Sequence, residues 1–153
     1  MKVLNKVVIG VASLALLAAC GPTKTTYAKF HEQAVEAAKK EVSYKKVKFS
    51  GKFKGDSSEL TLSAVYEYKD GKWTMTEGGL VEAIVTAALM AETADTVPED
   101  SKTIYYAGNG FKTVTKDDDG SSGTMTWNAN GLLTSAKGKS SSGNVDVKLT
   151  YSK

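Results

Sequence analysis

Not one arginine occurs among these 153 residues, and all 20 basic side chains are lysines. The bidentate clamps that arginine forms on phosphate and carboxylate are therefore missing. The chain has one histidine, His31, and one cysteine, Cys20. An intramolecular disulfide is thus impossible, and a zinc site built from the usual Cys and His ligands lacks its donors. His31 is the only imidazole that could serve as a general base. It stands beside Phe30 on an expected helix, sharing a side with Val35 and neighbouring lysines, and the sequence places no serine or cysteine nucleophile near it. No catalytic residue is assigned, and the chain reads as non-enzymatic. The one acidic cluster, Asp117-Asp118-Asp119-Gly120, lacks the alternating oxygen ligands and the later glutamate of a calcium loop. It reads as a solvated hairpin loop, so neither a metal nor a cofactor is expected.

What is present begins with the first twenty residues. Lys2 and Lys6 precede an uncharged, mostly apolar run from Val7 to Ala19, broken only by Gly10 and Ser13. That run falls short of the roughly 20 residues a membrane-spanning helix needs. It has instead the proportions of an export signal with small residues at its cleavage site. Leu17-Ala18-Ala19-Cys20 resembles the lipobox of bacterial lipoproteins. The resemblance covers about the first 21 residues and implies a diacylglycerol on the Cys20 thiol and cleavage just before it. It also implies a location at the cell membrane or outer membrane, facing away from the cytoplasm. Gly21 is not the aspartate that would resemble an inner-membrane retention signal.

Three segments follow from this reading: a signal peptide over 1–19, a lipidated tether over 20–26 and a single domain over 27–153. Loss of Lys2 and Lys6 lowers the net charge from +3 to +1. A basic footprint for nucleic acid is then not expected, because the charge would have to cluster on one face.

Helical spacing runs from Tyr27 to Val42, with Tyr27, Phe30, Ala34, Ala37, Ala38 and Val42 on one side and Thr25 or Thr26 as cap. Strict alternation then predicts strands over 44–54, with Lys46, Lys48, Lys52 and Lys54 on one face, and over 59–69. Asp70-Gly71 marks a tight hairpin into a strand over 72–77. Leu80 to Ala94 is apolar nearly all round and predicts a buried helix. Further strands are expected near 103–107, 111–116, 124–128, 132–139 and 145–152. Residues tolerant of positive φ fill the turns between them. The fold class is therefore α+β: a single curved antiparallel sheet of about seven or eight strands with two α-helices, after an N-terminal signal helix.

Function is far less legible than fold. Aromatic residues recur on the expected strands, and most should be core. If space remains under the second helix, candidate lining residues are Tyr66, Tyr68, Trp73, Ile84, Leu89 and Trp127. Gly51, Ala64 and Ala107 are small enough to leave such space. Charge is also uneven: residues 21–54 carry nine lysines and three carboxylates, whereas residues 55–153 carry nine lysines and fourteen carboxylates. The basic part follows the anchor directly, so Lys39, Lys40, Lys46 and Lys48 are candidate contacts to anionic head groups. Two functions remain open. One is an envelope lipoprotein that binds a protein, a wall polymer or a small molecule. The other is a half-barrel carrier of a lipid or other hydrophobic ligand, an analogy of layout alone.

Overall fold

The computed structural model describes residues 21–153; the expected signal peptide and Cys20 lie outside the described residues. The elements are β1 (Thr23–Thr25), α1 (Tyr27–Ala38), β2 (Lys46–Gly55), β3 (Glu59–Lys69), β4 (Lys72–Glu77) and α2 (Leu80–Met90). A 3₁₀ turn (Ala94–Thr96) then leads to β5 (Thr103–Gly108), β6 (Gly110–Lys116), β7 (Ser122–Trp127), β8 (Leu133–Ser140) and β9 (Gly143–Ser152). All nine strands form one open sheet in the order β1-β5-β6-β7-β8-β9-β2-β3-β4. Every pairing is antiparallel. The class is α+β, with two helices in the described residues.

The ninth strand comes from the expected tether. Thr23, Lys24 and Thr25 pair with Ala107, Tyr106 and Tyr105. A polar sequence carries no burial period to betray a strand, yet its backbone groups still extend a sheet edge. The two edges are short, three residues in β1 and six in β4, which limits their value as templates for other chains. At the β3–β4 hairpin, Asp70 and Gly71 both have positive φ, 54° and 80°, as a tight primed turn requires.

Helix α1 is capped as expected, the Thr26 hydroxyl accepting from the Lys29 amide at 3.4 Å. It ends at Ala38 rather than Val42 because the chain must straighten for the Lys45 amide to reach the Ser152 carbonyl at 2.9 Å. Phe30 is fully buried under it. Its ring lies 5.2 Å from Tyr105, 5.5 Å from Phe111 and 6.2 Å from Trp127. These edge and tilted contacts are the arrangements aromatic rings prefer.

Both helices cover one face of the sheet. Register places Val47, Phe49, Ala64, Val147, Leu149 and Leu133 on that face with Trp127 and Phe111. All are buried, and the buried core of the described residues lies between Phe30 and Leu149. The small residues leave no gap there. Ala64 and Ala107 are buried, and the rings of Phe49 and Phe53 close over Gly51, where a Cβ would stand 2.9 Å and 3.0 Å from them.

Helix α2 departs from its expected burial. Thr86 is its single fully buried residue, whereas Leu80, Val81 and Ile84 are 77%, 56% and 63% exposed. The inward stripe is Glu82, Val85, Thr86, Leu89 and Met90, which keeps helical spacing. The Thr86 hydroxyl donates to the Glu82 carbonyl at 2.7 Å, so its burial leaves no donor unsatisfied. An almost uniformly apolar helix offers no periodic cue for choosing a face, and its fixed ends choose instead. At one end Gly79 caps the helix, its amide donating to the Glu82 carboxylate at 3.1 Å. At the other, Trp127 Nε1 donates to the Glu92 carbonyl at 2.7 Å, and the Ala94 amide to the Gly131 carbonyl at 2.9 Å.

Candidate functional site

A cleft of about 760 Å³ opens on the helix-covered side of the sheet. It lies at the end where β2 starts, β9 finishes and β3 turns into β4. The sheet contributes Val47, Tyr68, Trp73 and Tyr151. Met90 ends α2 and Thr93 lies just beyond it, Ala38 ends α1, and Val42 and Tyr44 lie in the stretch joining α1 to β2. Leu132 and Asn130 come from the β7–β8 turn. No single element makes this site; four strands, two helices and the segments between them meet there.

Its aromatic rings form two pairs. Tyr44 and Tyr151 are 5.2 Å apart at 41°, and Tyr68 and Trp73 are 5.4 Å apart at 53°. The first pair is fixed by hydrogen bonds. Tyr151 donates to the Leu133 carbonyl at 2.9 Å, while the Tyr44 hydroxyl accepts from Asn130 Nδ2 at 3.1 Å and Asn128 Nδ2 at 3.4 Å. Burial, with the nearby Tyr44 as a lesser cause, pushes the Tyr151 phenol up to about 12. The second pair is looser, since Tyr68 and Trp73 are 42% and 41% exposed and neither side chain makes a hydrogen bond among the described residues.

Polar groups sit among the rings. Lys40, Lys45 and Asp95 line the cleft, and none of them enters an ion pair among the described residues. Aromatic and aliphatic walls with a few convergent polar groups are the composition of a small-molecule site. Such a surface can hold an apolar body while meeting a polar or charged end.

Of the six expected lining residues, the cleft takes Tyr68 and Trp73. Trp127 is instead core at 1% exposure. Tyr66 and Leu89 are half-buried and pack against the core. Ile84 points outward on α2, for the reason given above. Tyr44, Met90 and Asn130 had no signal as a group, because each belongs to a segment whose local pattern concerns strand, helix or turn. The four expected lysine contacts also separate. Lys39 pairs with Glu36 at 2.6 Å on α1, and Lys40 lines the cleft. Lys46 and Lys48 alternate with buried Val47 and Phe49 and so face the other side of the sheet. Lys46 is 3.9 Å from Glu67.

His31 stacks on Tyr27 with ring centroids 5.6 Å apart and does not line the cleft. The Lys102 ammonium lies 3.6 Å from Asp117 and 3.3 Å from Asp118, and Asp119 accepts from the Ser121 amide at 2.8 Å. Among the described residues no group of three or more His, Cys, Asp or Glu side chains is placed to hold a metal ion. No helix there is long and apolar enough to cross a membrane. No protein-family model matches the chain, and comparisons with curated proteins and with solved structures find no match.

Proposed function

We propose that this chain is a membrane-anchored, non-enzymatic envelope lipoprotein that binds a small hydrophobic or amphipathic ligand in the Tyr44–Trp73 cleft. Anchoring rests on the lipobox-like Leu17-Ala18-Ala19-Cys20. Ligand binding rests on one observation, an aromatic cleft of about 760 Å³ under the end of α2. That is the volume range of small-molecule sites. Lys40 and Lys45 would meet an anionic or hydroxylated head, and the Tyr68–Trp73 pair would cover an apolar body. The lining favours binding over catalysis. Its one serine, Ser43, has no histidine among the other lining residues, and the Tyr151 hydroxyl is committed to Leu133. Two residues separate Cys20 from β1, a reach of about 7 Å, so the anchor would keep this domain close to the bilayer.

Two measurements test the halves separately. Metabolic labelling with a fatty acid should mark the wild-type chain and not Cys20→Ser; an unlabelled wild type with unchanged membrane partitioning overturns the anchor. Native mass spectrometry of the mature protein purified from its host should show a co-purifying amphiphile that Trp73→Ala with Tyr68→Ala releases. A ligand-free wild type that also ignores fluorescent fatty-acid probes overturns the cleft as a binding site.

A further inference from the structure

The face of the sheet turned away from the helices carries a lattice of lysines. On β2, register places Lys46, Lys48, Lys52 and Lys54 there, beside Lys148 of β9. Next come Lys137 and Lys139 of β8, and beyond β7, Lys112 and Lys116 of β6. These five adjoining strands present one carboxylate on the same face, Asp146, placed between Lys137 and Lys52. Only Lys46 of the nine lysines enters an ion pair among the described residues. The remaining outward residues on β7 are Ser122, Thr124 and Thr126. On the neighbouring β3 the same face bears Glu59 and Glu67, opposite Lys54 and Lys46, while the helix layer bears Glu32 and Glu36 on α1, Glu82 on α2, then Glu92, Asp95 and Glu99.

We infer that this face docks on an anionic bilayer surface. Charges of one sign spread over five strands, about 20 Å across and about 20 Å along β2, make a two-dimensional field. A plane of negative head groups complements such a field better than a linear polymer, which a groove or a single stripe would hold. The five strands expose no large apolar or aromatic side chain outward beyond the half-buried Val114, so contact is by charge alone. Lysine ammoniums act as point charges and need no bidentate geometry. The choice of a bilayer rests on the anchoring proposed above, since an anchor two residues from β1 holds this face within reach of head groups.

The test uses residues 21–153, which contain the buried core of the described residues and no Cys20, so its outcome is independent of lipidation; circular dichroism first checks that they fold. Neutral phosphatidylcholine vesicles are compared with vesicles containing phosphatidylglycerol. The domain should partition onto the anionic vesicles alone, and added salt should release it. Charge reversal at Lys48, Lys52, Lys137 and Lys148 to Glu should weaken partitioning about a hundredfold. Reversal of Lys29 and Lys39 on the helix layer should leave it nearly unchanged. Should the first variant fail to fold, its Lys→Gln counterpart should show a smaller loss in the same direction. Equal losses in the two sets, no binding to anionic vesicles, or binding to soluble polyphosphate in place of vesicles would each overturn the proposal.

Discussion

Trp127 on β7 and Glu92 after α2 are 35 residues apart, yet the indole Nε1 donates to the Glu92 carbonyl at 2.7 Å. The bond fixes where α2 ends over the sheet, and hence which of its apolar sides is covered. Trp127→Phe removes the donor and leaves that carbonyl without its partner. We expect a loss of about 1–3 kcal/mol, and about 3–5 kcal/mol for Trp127→Ala, which adds a cavity. Urea unfolding followed by circular dichroism measures both.

Opposite sides of α2 should answer oppositely to charge. Ile84→Glu, at a position 63% exposed, should shift stability by no more than about 0.5 kcal/mol. Leu89→Glu, on the inward stripe, should cost about 3 kcal/mol or more because a carboxylate is pressed against the core. Equal costs would mean that α2 is seated on its other side.

Tyr151 makes stability depend on alkaline pH. Its phenol is pushed up to about 12 by burial, against about 10 in an unfolded chain. The folded state therefore keeps a proton that the unfolded state loses. The contribution is whole below pH of about 10 and falls as pH rises towards about 12. Unfolding titrations across that window should show a steeper decline in the wild type than in Tyr151→Phe.

Gly143, at the turn into β9, has φ of 149°, and a Cβ there would be driven into the Lys54 carbonyl oxygen. Gly143→Ala should cost about 2 kcal/mol or more and weaken the β2–β9 pairing. Gly120→Ala, where no atom lies within 4 Å of such a Cβ, should cost less despite its φ of 85°. Thermal melts of the two variants provide the comparison.

Alternation and turn residues made eight of the nine strands legible, because a half-buried strand must write its two faces into every second residue. The span from Tyr44 to Lys54 shows this plainly: Lys46, Lys48, Lys52 and Lys54 lie outward and Val47 and Phe49 inward, as the alternation requires. β1 was not legible, since Thr23–Thr25 buries nothing that would give it a period. The seating of α2 was not legible either, because Leu80, Ile84 and Leu89 are equally apolar and a hydrophobic pattern cannot rank equals. Ile84 and Trp127 lie away from the cleft, one turned outward and one in the core, while Tyr68 and Trp73, at a hairpin tip beyond the reach of the core, line it.

The sequence by itself determined the α+β class and the strand pattern, since each is written in residues close together along the chain. Tertiary structure alone decided which side of α2 is covered, which elements meet around the cleft, and that lysines from β2, β6, β8 and β9 share one face. Those outcomes depend on strand order and on contacts between distant residues, where the pairing of β2 with β9 joins the beginning of the domain to its end. Local periodicity assigns a residue to a face of its own strand; only the assembled sheet determines which other residues share it.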